Sequence, residues 1–273
     1  MKFIRILLIV IIVSLIGLIF FLAIQTNPPS WTGFGESEKD DAKEAAKTLW
    51  DWLDLMIIPI ALALIGWLWG QIEKAKTMKS EDERSKNETL ESFLKVMTEL
   101  IITNNLHNGP TPQTIAISRA RINIALSNLD GERKGQVLQF LYEANLIEKN
   151  PPKLSLVGSN LKNILIDEIK LGESEIRGAY FNNSSIQNAN LNGVHMIACD
   201  FTGANLSKTL VKNADFSYSI FLKAKLRHMD LTTANFEGCD LSNADLRGST
   251  ILKQQLDNIL NKNNVKFSKR RVK

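Results

Sequence analysis

The sequence predicts a mixed fold in three parts: two apolar membrane helices, an α-helical connector, and a C-terminal repeat solenoid. Three observations carry this. Leu154 to Lys253 divides without a slip into twenty pentapeptides, and the central residue of every one is large and apolar. Ile6 to Ile24 contains no charge, and a second apolar run, Leu55 to Gly70, is bracketed by tryptophans. Between these regions the apolar residues recur at helical spacing.

The pentapeptide centres run from Leu156, Leu161, Ile166, Leu171 and Ile176 to Leu241, Leu246 and Ile251. Two residues before a centre the side chain is usually small, as at Ala179, Ala189, Cys199, Ala204, Ala214, Ala224, Ala234, Cys239 and Ala244. The residue between is often Asp or Asn. A period of five suits neither the 3.6-residue helix nor the two-residue alternation of a strand. It suits a coil of short straight sides, each sending one large and one small residue inward and burying its apolar face by stacking on its neighbours. The Asp or Asn can bond to turn backbone. Glycines two residues after a centre, Gly158, Gly178, Gly193, Gly203, Gly238 and Gly248, supply the freedom a tight turn needs.

Ala189-Asn190-Leu191-Asn192-Gly193 and Ala244-Asp245-Leu246-Arg247-Gly248 match residue for residue the motif Ala-(Asp/Asn)-Leu-X-X, so that the array resembles the pentapeptide-repeat family. The resemblance implies a right-handed quadrilateral parallel β-helix with four pentapeptides per coil, hence about five coils and a rod roughly 24 Å long. Cys199 and Cys239 would then stack two coils apart, beyond disulfide reach, as small buried residues. Leu154, Ile164 and Ile169 depart from the motif, which predicts a looser first coil or a contact there with the preceding helices. Rod ends need covers. Leu252 to Lys262 reads as a C-terminal capping helix, with 254–273 forming cap and basic tail, and the helices that end at Pro151-Pro152 cap the other end.

Residues 1–70 read as a transmembrane hairpin. Ile6 to Ile24 would span about 28 Å as a helix, close to a hydrocarbon core, and exceeds the length of a signal-peptide apolar region. Leu55 to Gly70 follows Trp50 and Trp52 and ends with Trp67 and Trp69, an interfacial belt. Pro59 would kink this helix. Gly66 and Gly70 give a G-x-x-x-G spacing through which copies could associate. Lys2 and Arg5 before the first helix, and Lys74, Lys76, Lys79 and Arg84 after the second, place both termini in the cytoplasm and the acidic loop outside. The expected location is a cell inner membrane or a thylakoid membrane.

Residues 71–150 read as the connector. One long helix from Gln71 to Asn104 has a solvated, charged stalk (Lys74 to Asn87) and an apolar face of Leu90, Phe93, Leu94, Met97, Leu100 and Ile101. After Asn108-Gly109-Pro110, Thr111 caps a helix that starts at Pro112 and runs from Ile115 to Leu129, and Asp130 caps a third from Glu132 to Ile147. Trp50-Asp51-Trp52-Leu53-Asp54-Leu55, Ser118-Arg119-Ala120-Arg121, Leu129 to Gly135 and Phe140-Leu141-Tyr142-Glu143-Ala144 resemble membrane-anchored pentapeptide-repeat proteins of cyanobacteria and other bacteria. That group implies no enzymatic activity. Gly131-Glu132-Arg133-Lys134-Gly135 lacks the spacing of a phosphate loop and is expected to be a capped helix start with solvated charges.

No catalytic, cofactor-binding or metal-ligating residue is expected. His107, His195 and His228 are the three histidines, and no Cys/His cluster has zinc spacing. Asp200, Asp215, Asp230, Asp240 and Asp245 occupy the regular Asp/Asn position of the repeat, which gives them structural work. The family's acidic β-helices imply DNA mimicry directed at gyrase, but the array holds ten basic and ten acidic residues, the wrong balance for a nucleic-acid mimic. From Lys262 the tail carries six basic residues and no acid. The expected function is therefore a non-catalytic, membrane-anchored scaffold whose β-helix face binds a protein. The alternatives are an oligomeric, channel-like membrane effector triggered through the repeats and, last, a topoisomerase protector.

Overall fold

The computed structural model describes residues 49–104, 106–148 and 152–268, with side chains from residue 59 onward. The chain divides into two units, Met1–Ser80 and Glu81–Lys273. Helix α1, Leu49–Ile102, begins in the first and runs without a break through Pro59. Ile6 to Ile24 and the loop after it lie outside the described residues, as do residues 269–273 of the basic tail. Among the described residues no helix is long and apolar enough to cross a membrane. The expected span at 55–70 is thus not found as an element of its own. It is the N-terminal part of α1, which continues without a break into the charged Glu73, Lys74 and Lys76. A Cβ added at Gly66 or Gly70 would meet nothing within 4 Å, so the G-x-x-x-G face lies open.

The second unit starts in the C-terminal half of α1. Leu90, Phe93, Met97 and Leu100 are buried there, as their spacing predicts. The stalk is less solvated than expected: Glu83 and Lys86 are half-buried, and Arg133 reaches Glu83 at 2.8 Å. Helix α2, Pro112–Asn128, is capped by Thr111, whose hydroxyl accepts the Thr114 N–H at 3.1 Å. Helix α3, Gly131–Glu143, is capped by Asp130, which accepts the Arg133 N–H at 3.1 Å. It ends four residues before the expected Ile147. Asn145 takes a positive φ of 50°, while the N–H groups of Asn145 and Leu146 bond back to Tyr142 O and Leu141 O, each at 2.9 Å. This is a Schellman ending, which Asn tolerates. It turns Leu146 and Ile147 into the core, where both are fully buried.

The rod is a four-sided parallel β-helix. Its bridges join residues twenty apart, Asn160 to Tyr180, Tyr180 to Asp200, Asp200 to Ile220 and Ile220 to Asp240, so one coil takes four pentapeptides. Each coil bonds to both neighbours: Phe181 N–H donates to Asp200 O at 2.7 Å, and Tyr180 N–H donates to Ser159 O at 3.0 Å. All twenty centres, Leu156 to Ile251, are buried. Phe181, Phe201 and Phe221 stack along one side with ring centroids 5.0 and 4.9 Å apart, and Phe216 and Phe236 stack on the adjacent side at 5.5 Å. The residue two after each centre turns through positive φ, whether glycine (Gly203, 70°) or not (Lys223, 58°; Asn183, 57°). Besides Lys253, which opens the helix after the last coil, Thr233 is the exception. Its branched Cβ disfavours that conformation, its hydroxyl accepts the Asn213 N–H at 3.1 Å instead, and the bridge between residues 210 and 230 is missing.

Both rod ends are closed, one of them differently from expectation. The first coil meets the helices. Leu165 N–H donates to Gly131 O at 2.9 Å, Lys134 Nζ donates to Lys162 O at 3.0 Å, and Ser159 Oγ lies 3.0 Å from Asn123 Oδ1. Leu154 and Ile164, too large for the motif, are fully buried at this contact. At the other end the expected helix over 252–262 shrinks to α4, Lys253–Asp257. The chain then rejoins the rod, pairing Asn261 with Asp240 and Lys266 with Asp245, twenty-one apart because the helical turn inserts one residue. Lys262 therefore lies over the central Leu241, and its Nζ donates to Leu256 O at 2.6 Å. An exposed cation at an axial position stops further stacking.

Candidate functional site

The rod's inward positions and turns are fully engaged by the fold, which leaves its outer faces as the candidate surface. Asp200 Oδ1 accepts the Thr202 N–H at 2.9 Å, Asp215 that of Ser217 at 3.0 Å, Asp240 that of Ser242 at 2.8 Å, and Asn190 that of Asn192 at 3.1 Å. Asp230 accepts from Thr232 at 3.1 Å. The regular Asp/Asn residues thus tie their own turns, as the sequence implied. Burial pushes the carboxyls of Asp200 and Asp240 up, but hydrogen bonds from Thr202 and Asn182, and from Ser242 and Asn261, outweigh it and hold both below the usual range.

The small corner residues bond one coil back. Cys199 Sγ donates to Ile176 O at 3.0 Å, Ser219 Oγ to Met196 O at 2.8 Å, and Cys239 Sγ to Phe216 O at 2.9 Å. Ser219 stands between the two cysteines in the twenty-residue step, and both thiols are free. Burial pushes each thiol up to about 12, which makes them inert packing groups.

The three histidines lie apart. His107 Nδ1 is 3.3 Å from Lys153 Nζ, His195 Nδ1 is 3.2 Å from Glu175 Oε2, and His228 is exposed beside Gly248. Among the described residues no group of three or more His, Cys, Asp or Glu could hold a metal ion. The turn at 131–135, expected to be a capped helix start with solvated charges, is more tightly held than that. Arg133 pairs with both Asp130 and Glu83, and Lys134 is buried, its amine pushed down by that burial. Gly131 and Gly135 let α3 lie against the first coil: a Cβ at Gly131 would stand 2.0 Å from Asn163 O, and one at Gly135 would stand 2.6 Å from Leu165 O.

One side of the rod carries features that simple repeat spacing does not announce. Buried Asp245 accepts Arg247 Nε at 2.9 Å and Arg227 Nε at 2.7 Å, so two guanidiniums from adjacent coils share one carboxylate. The Arg247 and Arg227 bonds hold the Asp245 carboxyl far below the usual range, against the opposing effect of burial. Nearer the helices, the same side opens into a groove of about 490 Å³ lined by Glu132, Glu143, Asp167 and Glu168 over Phe140 and Leu165. Sequence reading missed both. The twenty-residue coil makes residues eighteen and twenty apart neighbours, and that step would have revealed the Arg227–Asp245 pair.

A family profile described as pentapeptide repeats matches residues 174–213 and 212–248. Residues 174–248 are pentapeptide repeats. Such repeats imply a right-handed quadrilateral β-helix, in keeping with the four-sided coil. Solved structures similar to the chain include a pentapeptide repeat protein of the Arabidopsis thaliana thylakoid lumen, with 22% identity, TM-score 0.28, and 35% of this chain aligned to 63% of that one. Another is a pentapeptide repeat protein of Nostoc Pcc 7120, with 20% identity, TM-score 0.25, and 49% of this chain aligned to 94% of that one. QnrB1, a plasmid-mediated fluoroquinolone resistance protein, aligns at 12% identity and TM-score 0.16 over 42% of this chain and 82% of its own. Overlaps this loose bear on neither activity nor partner. No curated protein sequence is significantly similar to the chain.

Proposed function

We propose that the protein is a non-catalytic scaffold, held at a membrane by its N-terminal apolar segments, whose pentapeptide-repeat rod binds a protein through its outer faces. The observation that carries this reading is the division of labour in the rod. Its centres and corners fill the core, its Asp and Asn residues close turns, and only the outward positions vary freely in charge and size. Repeat surfaces of this kind suit extended recognition. The membrane half of the reading rests on Ile6 to Ile24 and on the exposed Ile60, Leu62, Ile65, Trp67, Leu68 and Trp69 of α1. A row of exposed apolar side chains with tryptophans at its end fits a membrane interface. A reporter fused after Lys273 is expected to behave as cytoplasmic, one inserted near Glu38 as external, and the chain to resist alkaline extraction from membranes. Release of the chain by that extraction, or an external C-terminal reporter, overturns the membrane half. DNA mimicry is not favoured, because Lys208, Lys225, Arg227 and Arg247 place cations on the rod.

A further inference from the structure

The side of the rod that carries the Arg227–Asp245–Arg247 cluster is graded in charge along its length. Successive coils place on it Asp167 and Glu168, then Gln187 and Asn188, then Lys208, then Lys225 with Arg227, then Arg247, and finally Lys266 on the returning strand. Asp245 is the one acid among the later coils of this side. It is buried and already satisfied by two arginines. At the acidic end the groove adds Glu132 and Glu143 from α3. Each end also exposes an apolar side chain beside its charges: Leu165 is 54% exposed at the acidic end and Phe267 40% at the basic end. One face thus carries two patches of opposite sign, separated along the rod by an uncharged coil.

We infer that this face is the contact of an antiparallel homodimer, in which the basic coils of one copy lie on the acidic end of the other. The charge order sets the register. A two-fold axis between the second and third coils puts Lys225 and Arg227 opposite the partner copy's acidic first coil. It also carries the last coil and the returning strand onto the groove that Glu132 and Glu143 line. Two-fold contacts use the same patch on both subunits, so each charge pairing occurs twice. The polar Gln187 and Asn188 lie near the axis, where a face must meet itself without repulsion. Opposed charges on exposed surfaces steer association and fix register, and salt screens them. The inference is independent of membrane attachment and of any other partner.

The test uses the full chain, purified in detergent, with oligomeric state read by sedimentation at about 0.01 M and about 1 M salt, where the screening length falls from roughly 30 to 3 Å. The acid-end variant is Glu168→Lys and the base-end variant is Lys225→Glu, residues of the first and fourth coils that the two-fold axis sets opposite each other. Lysine is accommodated at the positive φ of residue 168, since Lys208 and Lys223 adopt the same conformation. Wild type is expected to dimerise at low salt, and each variant alone to associate roughly tenfold more weakly or less. An equimolar mixture of the two variants is expected to recover the dimer, because every reversed charge then faces its opposite. Recovery also shows that both variants are folded. A zero-length carbodiimide link between Glu168 and Lys225 is expected in the wild-type dimer. Within one chain these residues are three coils, about 14 Å, apart, so the link can form only between copies. A wild type that stays monomeric at low salt, single variants that still dimerise, or a mixture that stays monomeric each overturns the proposal. So does the base-end variant losing binding to anionic lipid vesicles while wild type shows no self-association, which would assign the basic coils to a lipid surface.

Discussion

Replacing Gly131 by alanine should detach α3 from the first coil while leaving the rest of the rod intact. The new Cβ would stand 2.0 Å from Asn163 O and 3.1 Å from the Asn163 carbonyl carbon, both backbone atoms that cannot rotate away. Relief to an ordinary contact of about 3.4 Å requires α3 and the coil to separate by more than 1 Å, on the order of a strained core insertion. That movement breaks the 2.9 Å bond from Leu165 N–H to Gly131 O. Overpacking costs about 1–3 kcal/mol, and the lost backbone hydrogen bond about 0.5–1.5 kcal/mol. Partial relaxation makes these overlap, so a loss of about 2–4 kcal/mol is expected at this contact. It would raise the population of the opened contact roughly 30- to 700-fold. Hydrogen exchange resolved by peptide is the assay: the Leu165 amide should lose protection, whereas the Phe201 amide, bonded to Ile220 O at 2.7 Å, should keep it. Gly66→Ala is the control. Its Cβ meets nothing, and it should stabilise α1 by up to about 1 kcal/mol. Unchanged protection at Leu165 in Gly131→Ala would refute the close-approach reasoning.

Phe216→Asp or Leu226→Asp, each placing an unpaired charge at a 1%-exposed axial site, should cost several kcal/mol, whereas the outward Lys223→Ala should change stability by roughly 0.5 kcal/mol or less. Equal tolerance of both classes in thermal melts would contradict the repeat register. The thiols of Cys199 and Cys239, pushed up to about 12 by burial, should resist maleimide in the folded chain at pH 8 and react on unfolding; labelling of the native protein would contradict their placement. Asp130, Asp200, Asp240 and Asp245 all have carboxyls held below their ordinary value. A lowered folded value contributes stability that is present above about pH 4 and is lost as pH falls further. Melting temperature should therefore fall steadily below about pH 4, and Asp245→Asn should flatten that fall.

The rod was legible because its signal is repeated and local: one residue in five must be large and apolar, and its neighbours are fixed by turn chemistry within two residues. Thr111 and Asp130 were legible as caps for the same reason. The ends were less so, since they depend on contacts between distant segments. Gly131 and Gly135 suggested a helix start or a loop, yet the reason for both lies in Asn163 and Leu165, some thirty residues on. The 252–262 segment has helical spacing, but Asn261 and Lys266 gain more by pairing with Asp240 and Asp245 than the short helix would by extending. The apolar run at 55–70 forms helix as expected, and its continuity with a charged segment follows from good helix formers on both sides of Gly70.

The same economy explains why function is hard to read from a pentapeptide rod and where it must lie. In each coil the centre and corner are determined by packing, and the Asp or Asn between them by the turn. An aspartate in this register therefore says nothing about substrate, however many recur. What remains free are the outward positions, which alter stability little when exchanged. Departures from neutrality there are not required by the fold. A face that runs from Asp167 and Glu168 to Lys225, Arg227, Arg247 and Lys266 is such a departure, and like charges crowded at each end oppose the folded state slightly rather than support it. Charge order along an outer face, once the twenty-residue step is known, is thus the property of this chain that a binding surface can use and the fold alone does not explain.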